Sequence, residues 1–192
     1  MHPVIPFLQP FLGRMPQLAD GAWVHDSARL IGDVAVGADT SIWCGAVVRG
    51  DVNHIRIGAR TNIQDNSVLH VSHASPRNPD GAPLIIGDDV TVGHGVILHG
   101  CMIGNACLIG MGSLIMDNAV IEPETLLGAG SLVAENSVLR SGFLYLGRPA
   151  RPVRPLTAEE IDYLYYSARH YVSLSQQYIT QRPADDVYRD EG

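Results

Sequence analysis

An aliphatic residue recurs at every sixth position over most of the chain. The first run is Leu30, Val36, Ile42 and Val48; Ile57, Ile63 and Leu69 follow, then Ile86, Val92 and Leu98. A last unbroken run extends through Ile103, Ile109, Ile115, Ile121, Leu127, Val133 and Leu139. Four places after these aliphatics stands a small or β-branched residue in nearly every case, as at Thr40, Ala46, Thr61, Ser67, Val90, Ser113 and Ser131. Glycine often follows the aliphatic directly, as at Gly37, Gly58, Gly87, Gly93, Gly104 and Gly110. Neither the helical period of 3.6 nor strand alternation produces this pattern. A triangular solenoid does. Each hexad supplies one short strand and one corner, three hexads close a coil, the aliphatic fills the inside, and glycine eases the turn. Parallel strands then bond coil to coil at a spacing of ~4.8 Å.

The pattern resembles the hexapeptide-repeat family, and that resemblance supplies the left hand of the coil; periodicity alone does not. The expected fold is therefore a left-handed parallel β-helix. Its register slips at Val48 to Ile57, which has three residues too many, at Leu69 to Ile86, and at Leu98 to Ile103, which is one short. The second slip contains a turn-rich loop from Ser72 to Gly81. After Leu139 the repeat stops, and Thr157-Ala158-Glu159-Glu160 reads as a capping box. Ile161, Leu164, Ala168, Tyr171, Val172 and Ser175 follow at helical spacing. The resulting division is an N-terminal segment over 1–20, a β-helix over 21–145 with a loop at 72–85, a linker over 146–156, a helix over 157–181 and a polar tail over 182–192.

Composition narrows the partners. A formal charge of −7 argues against nucleic acid or an anionic membrane. No run of 18 apolar residues suggests a membrane span, and the N-terminus lacks the form of a signal peptide. Cys44, Cys101 and Cys107 include no CxxC pair, which fits reduced thiols in a cytoplasmic protein.

Folding the period into three faces, with Ile57 on A, Ile63 on B and Leu69 on C, exposes two columns. On face C the residues after the aliphatics are Arg49, His70 and His99. On face B, two places after them, are Cys44, Asp65 and His94, with Gln64 beside Asp65. Imidazoles stacked one coil apart can converge on one metal, but His94 stands on another face. Three copies about a threefold axis would bring face C of one chain to face B of the next and complete the set. Three neutral imidazoles suit a catalytic divalent metal with a position open to water. Zinc is the first expectation; iron and cobalt accept the same ligands. His2, His25, His54 and His170 stand outside these columns, and His73 lies in the loop near them.

The runs Val48-Arg49-Gly50-Asp51, Asn62-Ile63-Gln64-Asp65, Leu69-His70-Val71-Ser72-His73 and Val92-Gly93-His94 to Leu98-His99-Gly100 resemble the γ-class carbonic anhydrase family, nearest to its short-loop bacterial branch of the YrdA, PaaY and CaiE type. The likeness spans nearly the whole chain. It implies a homotrimer with metal held by His70, His94 and His99 across interfaces, and interconversion of CO2 and bicarbonate by metal-activated hydroxide. It further implies that Gln64 and Asn62 orient the reactants, that Arg49, Asp51 and Asp65 serve the interface and anion binding, and that Tyr171 points from the helix into the site. In one respect the chain departs from the family. Active members carry a glutamate directly after the Arg-x-Asp run and an acidic loop; here Val52 and Asn53 follow Asp51, and Asp80 is the only acid of the loop. Low hydration activity is expected from the missing proton relay. A (thio)ester hydrolase and a non-catalytic metal-binding trimer are the alternatives.

Overall fold

The computed structural model describes residues 7–76 and 78–181. The chain forms a parallel β-solenoid of about eight turns, closed by one C-terminal helix. The strands stack in the three columns that the period assigns. Leu30, Val48, Leu69, Leu98, Ile115 and Val133 align on one face. Ile42, Ile63, Val92, Ile109 and Leu127 align on the second, and Val36, Ile57, Ile86, Ile103, Ile121 and Leu139 on the third. Each of these side chains is buried. Thr40, Thr61, Ser67, Ser113 and Ser131 are equally buried, and several of their hydroxyls bond backbone carbonyls at the corners, such as Thr40 to Gly58 and Ser67 to Gly93.

The turn itself is made elsewhere than expected. The glycines directly after the aliphatics have ordinary φ; the left-handed residue lies three places after the aliphatic. It is Asp39, Arg60, Asn66, Asp89, Asn118 or Asn136 in some coils and Gly45, Gly112 or Gly130 in others. Gly37 serves coil stacking instead. A Cβ placed there would lie 2.5 Å from the carbonyl carbon of Gly58 on the next coil.

Other boundaries also change. Leu8–Gln9 and Gln17–Leu18 pair with Arg29–Val36, so part of the expected N-terminal segment already belongs to the solenoid. Residues 1–6 and the expected polar tail 182–192 lie outside the described residues. The expected linker over 146–156 is mostly strand: Phe143–Gly147 and Ala150–Pro155 form an antiparallel hairpin. Its prolines sit on the outermost strand, where a missing N–H breaks no inner ladder. Leu84–Ile86 is a strand within the expected loop over 72–85.

Helix α1, Ala158–Gln181, begins at the expected capping box. Thr157 Oγ1 accepts from the Glu160 amide at 3.2 Å, and Glu160 Oε2 accepts from the Thr157 amide at 2.9 Å. Thr157→Ala is expected to lower stability by about 1 kcal/mol, measured as a shift in the urea midpoint. The helix buries Leu164, Ser167, Ala168 and Ser175 against Ser41–Ile42, Asn62–Ile63 and Thr91–Val92. This packing explains why the outward residues Ser41, Asn62 and Thr91 are polar yet buried.

Candidate metal centre

The strands Val68–His70 and Ile97–His99 pair residue for residue, placing His99 directly over His70. Arg49 lies one coil further toward the N-terminus in the same column. His70 Nε2 is 3.1 Å from Asp51 Oδ1, and Asp51 Oδ2 accepts from Arg49 at 2.5 Å. His99 Nδ1 is 2.5 Å from Asp117 Oδ1. Between the two rings, His70 Nδ1 and His99 Nε2 face each other at 3.1 Å.

This arrangement determines the protons. Burial opposes ionisation of Asp51, but hydrogen bonds from Arg49 and His70 outweigh it and hold the carboxyl below the usual carboxylate range. The carboxylates of Asp51 and Asp117 accept only, so each requires the N–H of the ring nitrogen that it faces. In neutral rings the two remaining nitrogens then bring lone pairs toward one point. A further proton or a metal cation between them would satisfy both lone pairs. Burial lowers the His70 pKa, against the Asp51 contact that raises it, which disfavours the proton. Two nitrogens bound to one tetrahedral zinc at 2.0–2.1 Å stand roughly 3.3–3.4 Å apart, close to the separation observed. The donor set fits a divalent metal.

The remaining predicted residues form a second group on the adjoining face. His94 Nδ1 is 2.7 Å from Asp65 Oδ2, leaving Nε2 available, and 51% of the His94 side chain is exposed. Gln64 Nε2 donates to Asn62 Oδ1, and Asn62 Nδ2 donates to Thr91 Oγ1, which meets Ser167 Oγ of the helix. Gln64 and His94 line a cleft of about 420 Å³ together with Thr91, Tyr163, Ser167 and Tyr171. Tyr171 both lines this cleft and packs edge-on against Trp43, with ring centroids 5.5 Å apart. Burial raises its phenol pKa, with the Asp65 charge acting in the same direction.

Thus the nine predicted residues fall into two half-sites. Arg49, Asp51, His70 and His99 make one; Asn62, Gln64, Asp65, His94 and Tyr171 make the other. No group of three metal-binding side chains converges within one chain among the described residues. Asp65 contacts His94 directly within the chain. Cys44 shares its column, but burial first and Asp65 second raise the thiol pKa. That suppresses the thiolate an oxidant would attack. Ser72, Thr91, Asp117 and Ser167 escaped the sequence reading. Asp117 was within reach, since it lies two places after Ile115, the next aliphatic in the histidine column. His2 lies outside the described residues.

No family model matches the chain. Protein YrdA of Escherichia coli is 52% identical over 174 residues, spanning 91% of this chain and 95% of that protein. A protein named carbonic anhydrase from Geobacillus kaustophilus is 51% identical over 171 residues, spanning 89% and 90%. The chain belongs to the γ-class carbonic anhydrase-like hexapeptide-repeat family. A solved hexapeptide transferase family protein from Anaplasma phagocytophilum shares its fold, with a TM-score of 0.82 and 45% identity over 89% of this chain and 97% of that one. The left-handed parallel β-helix expected from the repeat is accordingly the fold of this chain. Among the described residues, no helix is long and apolar enough to cross a membrane.

Proposed function

We propose that the chain is a metal-dependent γ-carbonic anhydrase-like enzyme, a homotrimer whose sites lie between subunits. The opposed lone pairs of His70 Nδ1 and His99 Nε2, 3.1 Å apart, support this reading most directly. His94 of an adjoining copy supplies the third ligand, and its exposure suits a role outside its own chain. Zinc is the first choice, with iron and cobalt open to the same nitrogens. When bound, the metal supplies Lewis-acid activation of water. Asp51, Asp65 and Asp117 each hold one ring nitrogen protonated and so keep the other free to ligate. Gln64, fixed by Asn62, orients the small substrate. Arg49 spends one N–H on Asp51 and keeps others of its fork for bicarbonate. The three free cysteines suit a reducing cytoplasm.

A stopped-flow CO2 hydration assay on metal-loaded protein, with His94→Ala as control, tests the activity. A rate above the control is expected, reduced by the absent relay. Val52 is 46% exposed and has no proton to give. A rate equal to that of the control sinks the carbonic anhydrase reading.

A second reading is hydrolysis of a small ester or thioester by the same centre. The cleft that includes His94 and Gln64 continues along Leu108, Met111 and Leu126, an apolar wall that CO2 does not need. Thioester cleavage dependent on His70, His94 and His99 would favour it. Metal binding without either activity leaves a metal-binding trimer.

A further inference from the structure

We propose that Asp117, held by Ser72, is a positioning residue for His99, and that the base of the loop, where Ser72 pairs with Ala82, thereby sets the geometry of the metal ligands. The inference rests on the metal reading above. Both oxygens of the Asp117 carboxylate are committed. Oδ1 accepts from His99 Nδ1 at 2.5 Å, and Oδ2 accepts from Ser72 Oγ at 2.6 Å. Charge-assisted bonds of this length are strong and directional. The first fixes the tautomer of His99 and aims Nε2 at His70; the second fixes the carboxylate.

Room for the carboxylate is built into the coil above. A Cβ on Gly100 would lie 2.5 Å from Asp117 Oδ1, so glycine beside His99 lets the carboxylate reach the ring. Ser72 is anchored in turn. Its amide and carbonyl pair with Ala82 across the base of the loop at 3.0 Å each. Asn53 Nδ2 donates to the carbonyls of Ser72 at 3.1 Å and Asp80 at 3.3 Å. Asn53 follows Asp51 by two residues, and Asp51 holds His70. The base of the loop thus bonds the Asp117 carboxylate through Ser72 and, through Asn53, the strand Val47–Ile57 that carries Asp51.

The test is zinc affinity of the full chain, measured by competition with a chromogenic chelator, together with the visible spectrum at saturating cobalt(II). Asp117→Ala is expected to weaken zinc binding by about 10–100-fold. Asp117→Asn retains an isosteric acceptor without the charge and should fall between Asp117→Ala and wild type. Ser72→Ala should weaken binding by less, in the same direction. A changed cobalt spectrum in Asp117→Asn reports a changed ligand field, which a carboxylate needed only for folding would not alter. Should Asp117→Ala not fold, the other two variants decide. Zinc affinity within about twofold of wild type and an unchanged cobalt spectrum in Asp117→Asn would overturn the inference. Failure of the wild type to bind either metal overturns the metal reading itself, a result separable because it needs no variant.

Discussion

Co-expressed His70→Ala and His94→Ala subunits are expected to regain metal sites that neither variant has alone. Structural zinc is worth about 10–16 kcal/mol over its whole ligand set, so removing one of three imidazoles should weaken binding by at least about 100-fold. Each pure variant leaves every site with two imidazoles. In a mixed trimer, one interface joins a chain that keeps His70 to a neighbour that keeps His94. Random 1:1 assembly with closed threefold symmetry therefore restores about one quarter of the sites. Metal per chain after gel filtration reads this directly. Mixtures that stay as empty as the pure variants would refute sharing between subunits. The prediction follows from the two half-sites: the face with His70 and His99 presents two nitrogens to one point, and the face with His94 presents a third outward.

Those half-sites are legible in the sequence because the repeat is its own ruler. Once Leu69 and Leu98 occupy one face, His70 and His99 must stack, and they do. The same counting separates His94. What the period does not reveal is hydrogen bonding off the column. Asp117 is countable from Ile115, but Ser72 reaches it from an extruded loop whose path no repeat fixes. The hairpin over 143–155 was hidden for a different reason. Gly147, Arg148, Pro149, Arg151 and Pro152 have the composition of a linker, and only the exposed position of the final strand makes such residues tolerable in a sheet. Of the N-terminal strands, Gln17–Leu18 was open to the same counting, since Leu18 lies six residues before Val24 and twelve before Leu30, whereas Leu8 stands off the period. They add to the solenoid by pairing with Arg29–Val36 all the same.

The glycines show where composition misleads about mechanism, and they give the largest stability effect outside the site. Two classes exist, with opposite requirements. Gly112 has φ +68°, and a Cβ there would meet nothing within 4 Å. Its equivalents in other coils are Asn66, Asn118 and Asn136, all at φ near +58°, and asparagine tolerates that conformation well. Gly112→Asn is therefore expected to be nearly neutral, and Gly112→Ala to cost about 1–2 kcal/mol. Gly37 has ordinary φ, but its Cβ would press on the carbonyl of Gly58 and the amide of Ala59 at 2.5–2.7 Å. Backbone atoms at a stacked corner cannot step aside as a flexible side chain can, so the coils must part. Gly37→Ala is expected to cost about 3 kcal/mol, lowering Tm by roughly 6–12 °C for a domain of this size. Scanning calorimetry of the three variants checks the ordering. A Gly37→Ala protein as stable as Gly112→Asn would mean that the coils are not held at this spacing.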